Sequence, residues 1–170
     1  MQILEISDDS GFMGIANFSR YRSFLSRNWD FEMIKKRIVE EINSHHLLFW
    51  STGLENTWKV KIAFENSDST AFRENRGVIE VTDGELFLTN YEALTMAAQY
   101  QQVKLPESHH KDLAIKLENG KYMVKFRQLF NPDEYDFATE DINFEIVLMR
   151  IEKNPEIYVN NVNEIYWSAY

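Results

Sequence analysis

Two pairs of adjacent histidines, His45-His46 and His109-His110, are the side chains best suited to binding a metal ion. Neutral imidazole is the commonest metal ligand, but adjacent residues on a strand point to opposite faces. Neither pair lies in a His-Glu-x-x-His sequence, and the chain has no cysteine. The sequence therefore predicts no metal and no other cofactor. We expect His109-His110 in a loop, and one buried and one exposed ring at His45-His46.

The residue patterns of nucleophilic and phosphate chemistry are also missing. The chain has no Gly-x-Ser-x-Gly turn, and Gly11-Phe12-Met13-Gly14 lacks the lysine of a phosphate-binding loop. Pairs of carboxylates are expected by chance in a chain with 27 acidic residues. No catalytic residue is assigned, and we expect a binding protein rather than an enzyme.

Acidic residues are concentrated in the last quarter of the chain. Residues 130–170 contain nine acidic residues and two basic ones, which account for −7 of the net charge of −9. Five of these acids lie with two aromatic rings in the single connection 131–141. The Asp-x-Asp-x-Asp-Gly order of a calcium loop is absent from it.

Two interpretations of this connection remain. It is either a solvated loop whose Tyr135 and Phe137 fold back onto the core, or a docking surface for a basic protein. In the second interpretation, acids at the rim attract a cationic partner and the rings supply dry contact area. The candidate partner-binding residues are Asp133, Glu134, Tyr135, Asp136, Glu140 and Asp141.

Composition excludes several classes of protein. With 170 residues, 44% of them hydrophobic and 14% aromatic, the chain is predicted to be one folded domain, 1–170. It has no run of 18 apolar residues and no signal-peptide pattern at its start, so we expect neither a membrane span nor secretion. The absence of cysteine fits the reducing cytoplasm. The charge of −9 argues against direct binding to nucleic acid.

Two helices are predicted. Asp30 is a suitable N-cap for a helix that ends near Asn43. Apolar residues recur in it at spacings of three and four, which predicts an amphipathic helix on a core: Phe31, Ile34, Ile38 and Ile42. A second, short helix is predicted within residues 90–102, which contain good helix formers.

The remaining elements alternate apolar and polar residues with the period of a strand. Strands are predicted at 46–50 and 58–64, paired with each other, and from residue 142 to 151, in the centre of a sheet. Two hairpins are predicted at short turns that favour positive φ. The first joins 78–82 to 85–89 through Asp83-Gly84, and the second joins 113–117 to 122–126 through Asn119-Gly120.

These elements predict a mainly β fold of the α+β class. We expect an antiparallel β-sandwich, or a curled sheet, with one amphipathic helix in the N-terminal half. The bulky rings of the C-terminal segment 166–170 are expected to dock on the rest of the chain, or to mediate self-association.

The segment from Val78 to Ile151 resembles the competence protein J family, together with immunity-protein-like relatives of the same β-sandwich type. The resemblance lies in the strand, acidic-Gly turn and strand of 78–86, in the strand and Gly-x-Tyr sequence of 113–122, and in 128–132, which leads through the acidic loop to the last strand. It implies a small acidic protein that binds and blocks a nuclease.

The function predicted from charge and resemblance is that of an immunity or inhibitor protein. It would neutralise a basic cytotoxic nuclease by occluding its active site. The alternative is a β-sandwich without catalytic activity that binds a small molecule or carbohydrate, with Trp50, Trp58 or Tyr91 in a pocket.

Overall fold

Two β-sheets form the framework of the protein, seen in a computed structural model that describes residues 1–138 and 141–153. One sheet has five strands in the order β1-β4-β9-β8-β5, and the other has four in the order β3-β2-β6-β7. All neighbouring strands are antiparallel except β4 and β9, which are parallel. The strands are β1 (Gln2–Asp8), β2 (Phe12–Ala16), β3 (Leu47–Ser51), β4 (Asn56–Ala63), β5 (Arg73–Val81), β6 (Glu85–Asn90), β7 (Ala114–Lys116), β8 (Gly120–Gln128) and β9 (Phe144–Ile151).

The four-stranded sheet is the middle layer. Its inner face meets the five-stranded sheet, for example where Trp50 stacks on Phe126 at 4.5 Å between ring centroids. On this sheet, helix α1 (Phe31–Asn43) contacts β3 and helix α2 (Tyr91–Gln99) contacts β6. The predicted mainly β, α+β architecture is therefore confirmed. Among the described residues, neither helix has the length and hydropathy of a membrane span.

Both predicted helices are present, and each begins at a side-chain cap. The Asp30 carboxylate accepts a hydrogen bond from the Met33 N–H at 2.9 Å, as its position predicted. Asn90 caps α2 by accepting from the Ala93 N–H at 2.9 Å, a cap that was not predicted. The apolar stripe of α1 is buried at Ile34, Ile38 and Ile42. Phe31, expected in the same stripe, is 49% exposed.

The strands of the two predicted hairpins exist, but they do not pair with each other. β5 pairs with β8 in one sheet, whereas β6 pairs with β7 in the other. Each short turn therefore carries the chain from one sheet to the other. The two turns lie side by side, with Leu117 N–H donating to Gly84 O at 3.0 Å and Gly84 N–H to Asn119 Oδ1 at 2.8 Å. Gly84 has φ +72°, the conformation its turn was expected to require.

A third predicted pairing is also wrong, and two strands were missed. The segment 46–50 forms β3, which pairs with β2, while β4 pairs with β1 and β9. β1 and β2, near the start of the chain, were not predicted. The central position of β9 is confirmed, because it lies third among the five strands of its sheet. The rings of 166–170 lie outside the described residues.

A buried ion pair joins β8 to β9 within the five-stranded sheet. Arg127 Nη1 lies 2.6 Å from Glu145 Oε1, and Lys61 Nζ lies 3.3 Å from the other oxygen. The Glu145 side chain is 1% exposed. Burial raises the pKa of Glu145, but hydrogen bonds from Arg127, Ser67 and Lys61 outweigh it and hold the pKa below its ordinary value.

Replacing Glu145→Gln is expected to lower the free energy of unfolding by about 3 kcal/mol at pH 7, because it removes the buried charge shared by Arg127 and Lys61. Among the described residues, Arg127 then keeps only the partly exposed carboxylate of Glu74, 3.0 Å away. Urea unfolding measures the change. A matched control is Glu118→Gln, which breaks the exposed Arg150–Glu118 pair and should change stability by less than about 1 kcal/mol.

Wild type and Glu145→Gln can also be compared as the pH is changed, and the direction of the effect is defined. Because the pKa of Glu145 in the folded protein lies below the ordinary 4.5, its stabilisation is complete above pH 4.5 and is lost as the pH falls through the folded value. The stability difference between wild type and Glu145→Gln should therefore shrink below pH 4.5. A difference that widens in acid would contradict this assignment.

Candidate protein-docking site

The acidic loop, defined here as residues 131–141, connects β8 to β9. Its first turn is fixed by Asn131, whose Oδ1 accepts from the Asp133 N–H at 3.0 Å and opens a short 3-10 helix, Pro132–Glu134. A second turn is closed where Asp136 Oδ1 accepts from the Ala138 N–H at 2.9 Å. Side-chain to backbone bonds of this kind define local turns. The loop therefore has a specific backbone path through its first eight residues.

Tyr135 anchors the loop to the core. Its ring lies 4.7 Å from Phe130 and 5.5 Å from Trp58, measured between centroids. Its hydroxyl accepts a hydrogen bond from Asn143 Nδ2 at 3.1 Å, and Asn143 Oδ1 in turn accepts from the Lys59 N–H at 2.8 Å. The half-buried Tyr135 thus folds back onto the core, as the solvated-loop interpretation expected.

Trp58, on which Tyr135 rests, is held by a buried carboxylate. The indole Nε1 donates to Asp8 Oδ2 at 3.0 Å, and Thr52 Oγ1 donates to the same oxygen at 2.6 Å. The other oxygen of Asp8 accepts three backbone N–H bonds, from Ser10 at 3.2 Å, Gly11 at 2.7 Å and Phe12 at 3.0 Å. Asp8 is 1% exposed. One carboxylate therefore joins the β1–β2 connection, the end of β3 and the ring cluster beneath the loop.

Phe137, in contrast, projects outward. Its side chain is 64% exposed, and its ring touches Tyr135 edge-on at 4.9 Å and 80°. The docking interpretation used both rings and named Tyr135 among the candidate contact residues, but Tyr135 is the half-buried one of the two. Nothing in the residue order distinguishes the two rings, because the difference arises from contacts with Phe130 and Trp58, which lie outside the loop.

The acidic candidates lie on the surface of this loop. Asp133, Glu134, Asp136 and Asp141 are exposed. Glu140 lies outside the described residues. The described acids and Phe137 belong to one short segment, so the loop presents an aromatic ring among carboxylates. A surface of this kind attracts cationic groups.

A second acidic surface lies along β1, at the edge that does not pair with β4. It is a cleft of about 430 Å³ between β1, the start of α2 and the 3-10 helix Ser108–Leu113. Its acidic lining residues, which we call the cleft acids, are Glu5, Asp9, Glu92, Glu107 and Asp112.

The histidine pairs take different places from those expected. His109 and His110 lie in the 3-10 helix with ring centroids 4.1 Å apart, and both line the cleft. Burial and the neighbouring His109 lower the pKa of His110. At the other pair neither ring is fully buried, and His46 Nδ1 lies 2.8 Å from the buried Glu41 Oε2. The described residues contain no group of three or more His, Cys, Asp or Glu placed to hold a metal ion.

The alternative of a small-molecule or carbohydrate pocket at Trp50, Trp58 or Tyr91 gains no support from the positions of these rings. Trp58 is in the core, Trp50 is buried against Phe126, and Tyr91 is half-buried beside Phe12. The cavity that Trp50 borders measures about 40 Å³, enough for water but not for a sugar. None of the three lines the larger cleft.

Solved structures share this fold. The product of crocagin biosynthetic gene J matches with a TM-score of 0.55 and 15% identity, covering 89% of this chain and 96% of that chain. ComJ from Bacillus subtilis, an inhibitor of the DNA degrading activity of NucA, matches with a TM-score of 0.52 and 10% identity over the same shares. The chain resembles ComJ in fold. No family model and no curated protein matches the sequence.

The resemblance expected from residues 78–151 is therefore confirmed at the level of fold, and it extends to the front of the chain. That front half gave no resemblance in sequence. At 10% identity, the shared feature is the arrangement of strands rather than any set of contact residues.

Asp8→Asn tests the support beneath the loop. The amide keeps one acceptor oxygen, so either the backbone N–H groups or the Trp58 indole loses its partner, whereas the Thr52 hydroxyl can still donate to Leu54 O, 2.8 Å away. Because these donors are buried, we expect the free energy of unfolding in urea to fall by about 2–3 kcal/mol. Asp9→Asn, one residue further and exposed, is the control and should change it by less than about 0.5 kcal/mol. Equal stability of the two variants would contradict the role assigned to Asp8.

Proposed function

We propose that this protein binds a basic DNA-degrading nuclease and inhibits it by covering its active site. The observation that carries the proposal is the fold shared with ComJ, a nuclease inhibitor, over 89% of this chain. The net charge of −9 agrees with it, because a nuclease that binds DNA presents lysine and arginine to phosphates.

The acidic loop is the proposed contact surface. Its carboxylates take the place of DNA phosphates as partners for the cations of the nuclease, while its rings form the dry centre of an interface of about 1,600 Å². The mechanism is occlusion, which requires no catalytic group in this chain. Accordingly, we propose a binding protein and not an enzyme.

The biological setting that fits this function is immunity to a toxin. A cell that produces a cytotoxic nuclease for competition with other bacteria needs an inhibitor in its own cytoplasm. A soluble acidic protein acting there as an antitoxin is consistent with the absence of cysteine from the sequence.

Inhibition is tested directly with purified proteins. The nucleases are NucA and each basic nuclease encoded beside the gene for this chain, and plasmid degradation is followed at increasing concentrations of the chain. We expect one of these nucleases to be fully inhibited near a 1:1 ratio. Undiminished degradation by every nuclease at a tenfold excess of the chain would refute the proposal.

The position of the contact surface is tested with two variants of equal charge. The loop variant carries Asp133→Asn, Glu134→Gln and Asp136→Asn, and the cleft variant carries Glu5→Gln, Glu107→Gln and Asp112→Asn. Each removes three negative charges, so any difference between them reports location rather than net charge.

The loop variant is expected to associate with the inhibited nuclease at least tenfold more slowly at low salt, with a weaker dependence on ionic strength. The cleft variant should associate within about threefold of wild type. Stopped-flow or biosensor kinetics measures both. The reverse order would move the contact surface from the acidic loop to the cleft.

A further inference from the structure

Phe137 is an exposed apolar residue of the acidic loop, and its ring packs against the ring of Tyr135. Its ring is 64% exposed and meets Tyr135 edge-on at 4.9 Å. Single exposed apolar residues are common on protein surfaces. What distinguishes this one is a continuous series of ring contacts from Phe137 through Tyr135 to Phe130 and the buried Trp58.

We propose that Phe137 is the anchor residue that inserts into an apolar pocket of the basic nuclease, and that Tyr135 is a positioning residue that presents it. This inference rests on the function proposed above. It assigns different roles to the two rings proposed for the dry centre of the interface: Phe137 enters the partner, and Tyr135 holds Phe137 in place.

The series of rings restrains Phe137 before any partner binds. The Tyr135 ring lies 5.5 Å from Trp58 between centroids, and its hydroxyl accepts a hydrogen bond from Asn143 at 3.1 Å. These two contacts restrict the orientation of the Tyr135 ring. The turn closed by Asp136 and Ala138 fixes the backbone on either side of Phe137. An aromatic side chain restrained in this way loses less conformational entropy on binding than a mobile one.

The charges around Phe137 determine the chemistry of the partner. Asp133, Glu134 and Asp136 are exposed within four residues of it. An exposed ring can stack on a nucleic acid base, but carboxylates this close repel the phosphates that supply most of the affinity for nucleic acid. The same carboxylates attract lysine and arginine. The occupant is therefore a protein pocket with a cationic rim, and an aromatic anchor inside a polar rim is a common arrangement of protein interfaces.

Phe137→Ala tests the anchor in kinetic measurements with the nuclease that wild type inhibits. We expect the dissociation constant to rise about thirtyfold or more, chiefly through faster dissociation, with the association rate within about twofold of wild type. Phe64→Ala is the matched control, because Phe64 is 52% exposed at the end of β4, away from the loop. It should leave the dissociation constant within about twofold.

The positioning role of Tyr135 is tested by a double-mutant cycle. Tyr135→Ala should weaken binding about tenfold in the wild-type background and add no further loss in the Phe137→Ala background, since it acts only through that ring. Tyr135→Phe keeps the ring contacts and should recover most of the binding. Full additivity of the two alanine substitutions would show that Tyr135 does not act through Phe137.

The outcomes separate this inference from the proposed function. If wild type inhibits a nuclease and Phe137→Ala binds it equally well, the anchor is wrong and the inhibitor function stands. If Phe64→Ala weakens binding as much as Phe137→Ala, the anchor is equally wrong. If wild type inhibits none of the nucleases, the proposed function fails and the anchor fails with it.

Discussion

The structure depends on one buried carboxylate. Asp8 satisfies three backbone N–H groups at the β1–β2 connection through one oxygen, and the Thr52 hydroxyl and Trp58 indole through the other. Because β1 and β2 belong to different sheets, this side chain links the two layers of the sandwich at the place where the ring cluster lies. Trp58 then supports Phe130 and Tyr135, and through them the acidic loop. A residue of the framework therefore supports the acidic loop, the proposed docking surface.

Both helices and most strands could be predicted from the sequence, although β1 and β2 were missed, and the pairing of strands could not. The residues around Asp83-Gly84 indicate two strands and a short turn, and both a hairpin and a change of sheet fit that pattern. The choice between them depends on partners far away in the chain. β5 pairs with β8 and β6 with β7, so both turns pass between the sheets and lie side by side. The cap of α1 is local and was predicted, whereas the cap of α2, Asn90, was overlooked at the end of a strand.

At the candidate site, too, local features could be predicted and contacts between distant residues could not. The clustering of acids near the end of the chain is visible in the sequence, and the described members of the loop are exposed. Which of the two loop rings faces solvent depends on contacts with Phe130, Trp58 and Asn143, so residue order alone could not show that Tyr135 is half-buried and Phe137 exposed. The cleft acids were missed for a similar reason. They come from three separate segments and meet only because β1 lies beside α2 and the 3-10 helix.

Occlusion is the central claim, and competition with DNA tests it most directly. A catalytically inactive form of the inhibited nuclease is bound to fluorescent duplex DNA, and anisotropy is recorded as the protein is added. If the protein covers the DNA-binding surface, the apparent dissociation constant of the DNA rises in proportion to the concentration of the protein, and no ternary complex forms. A ternary complex in which DNA affinity is unchanged would contradict occlusion.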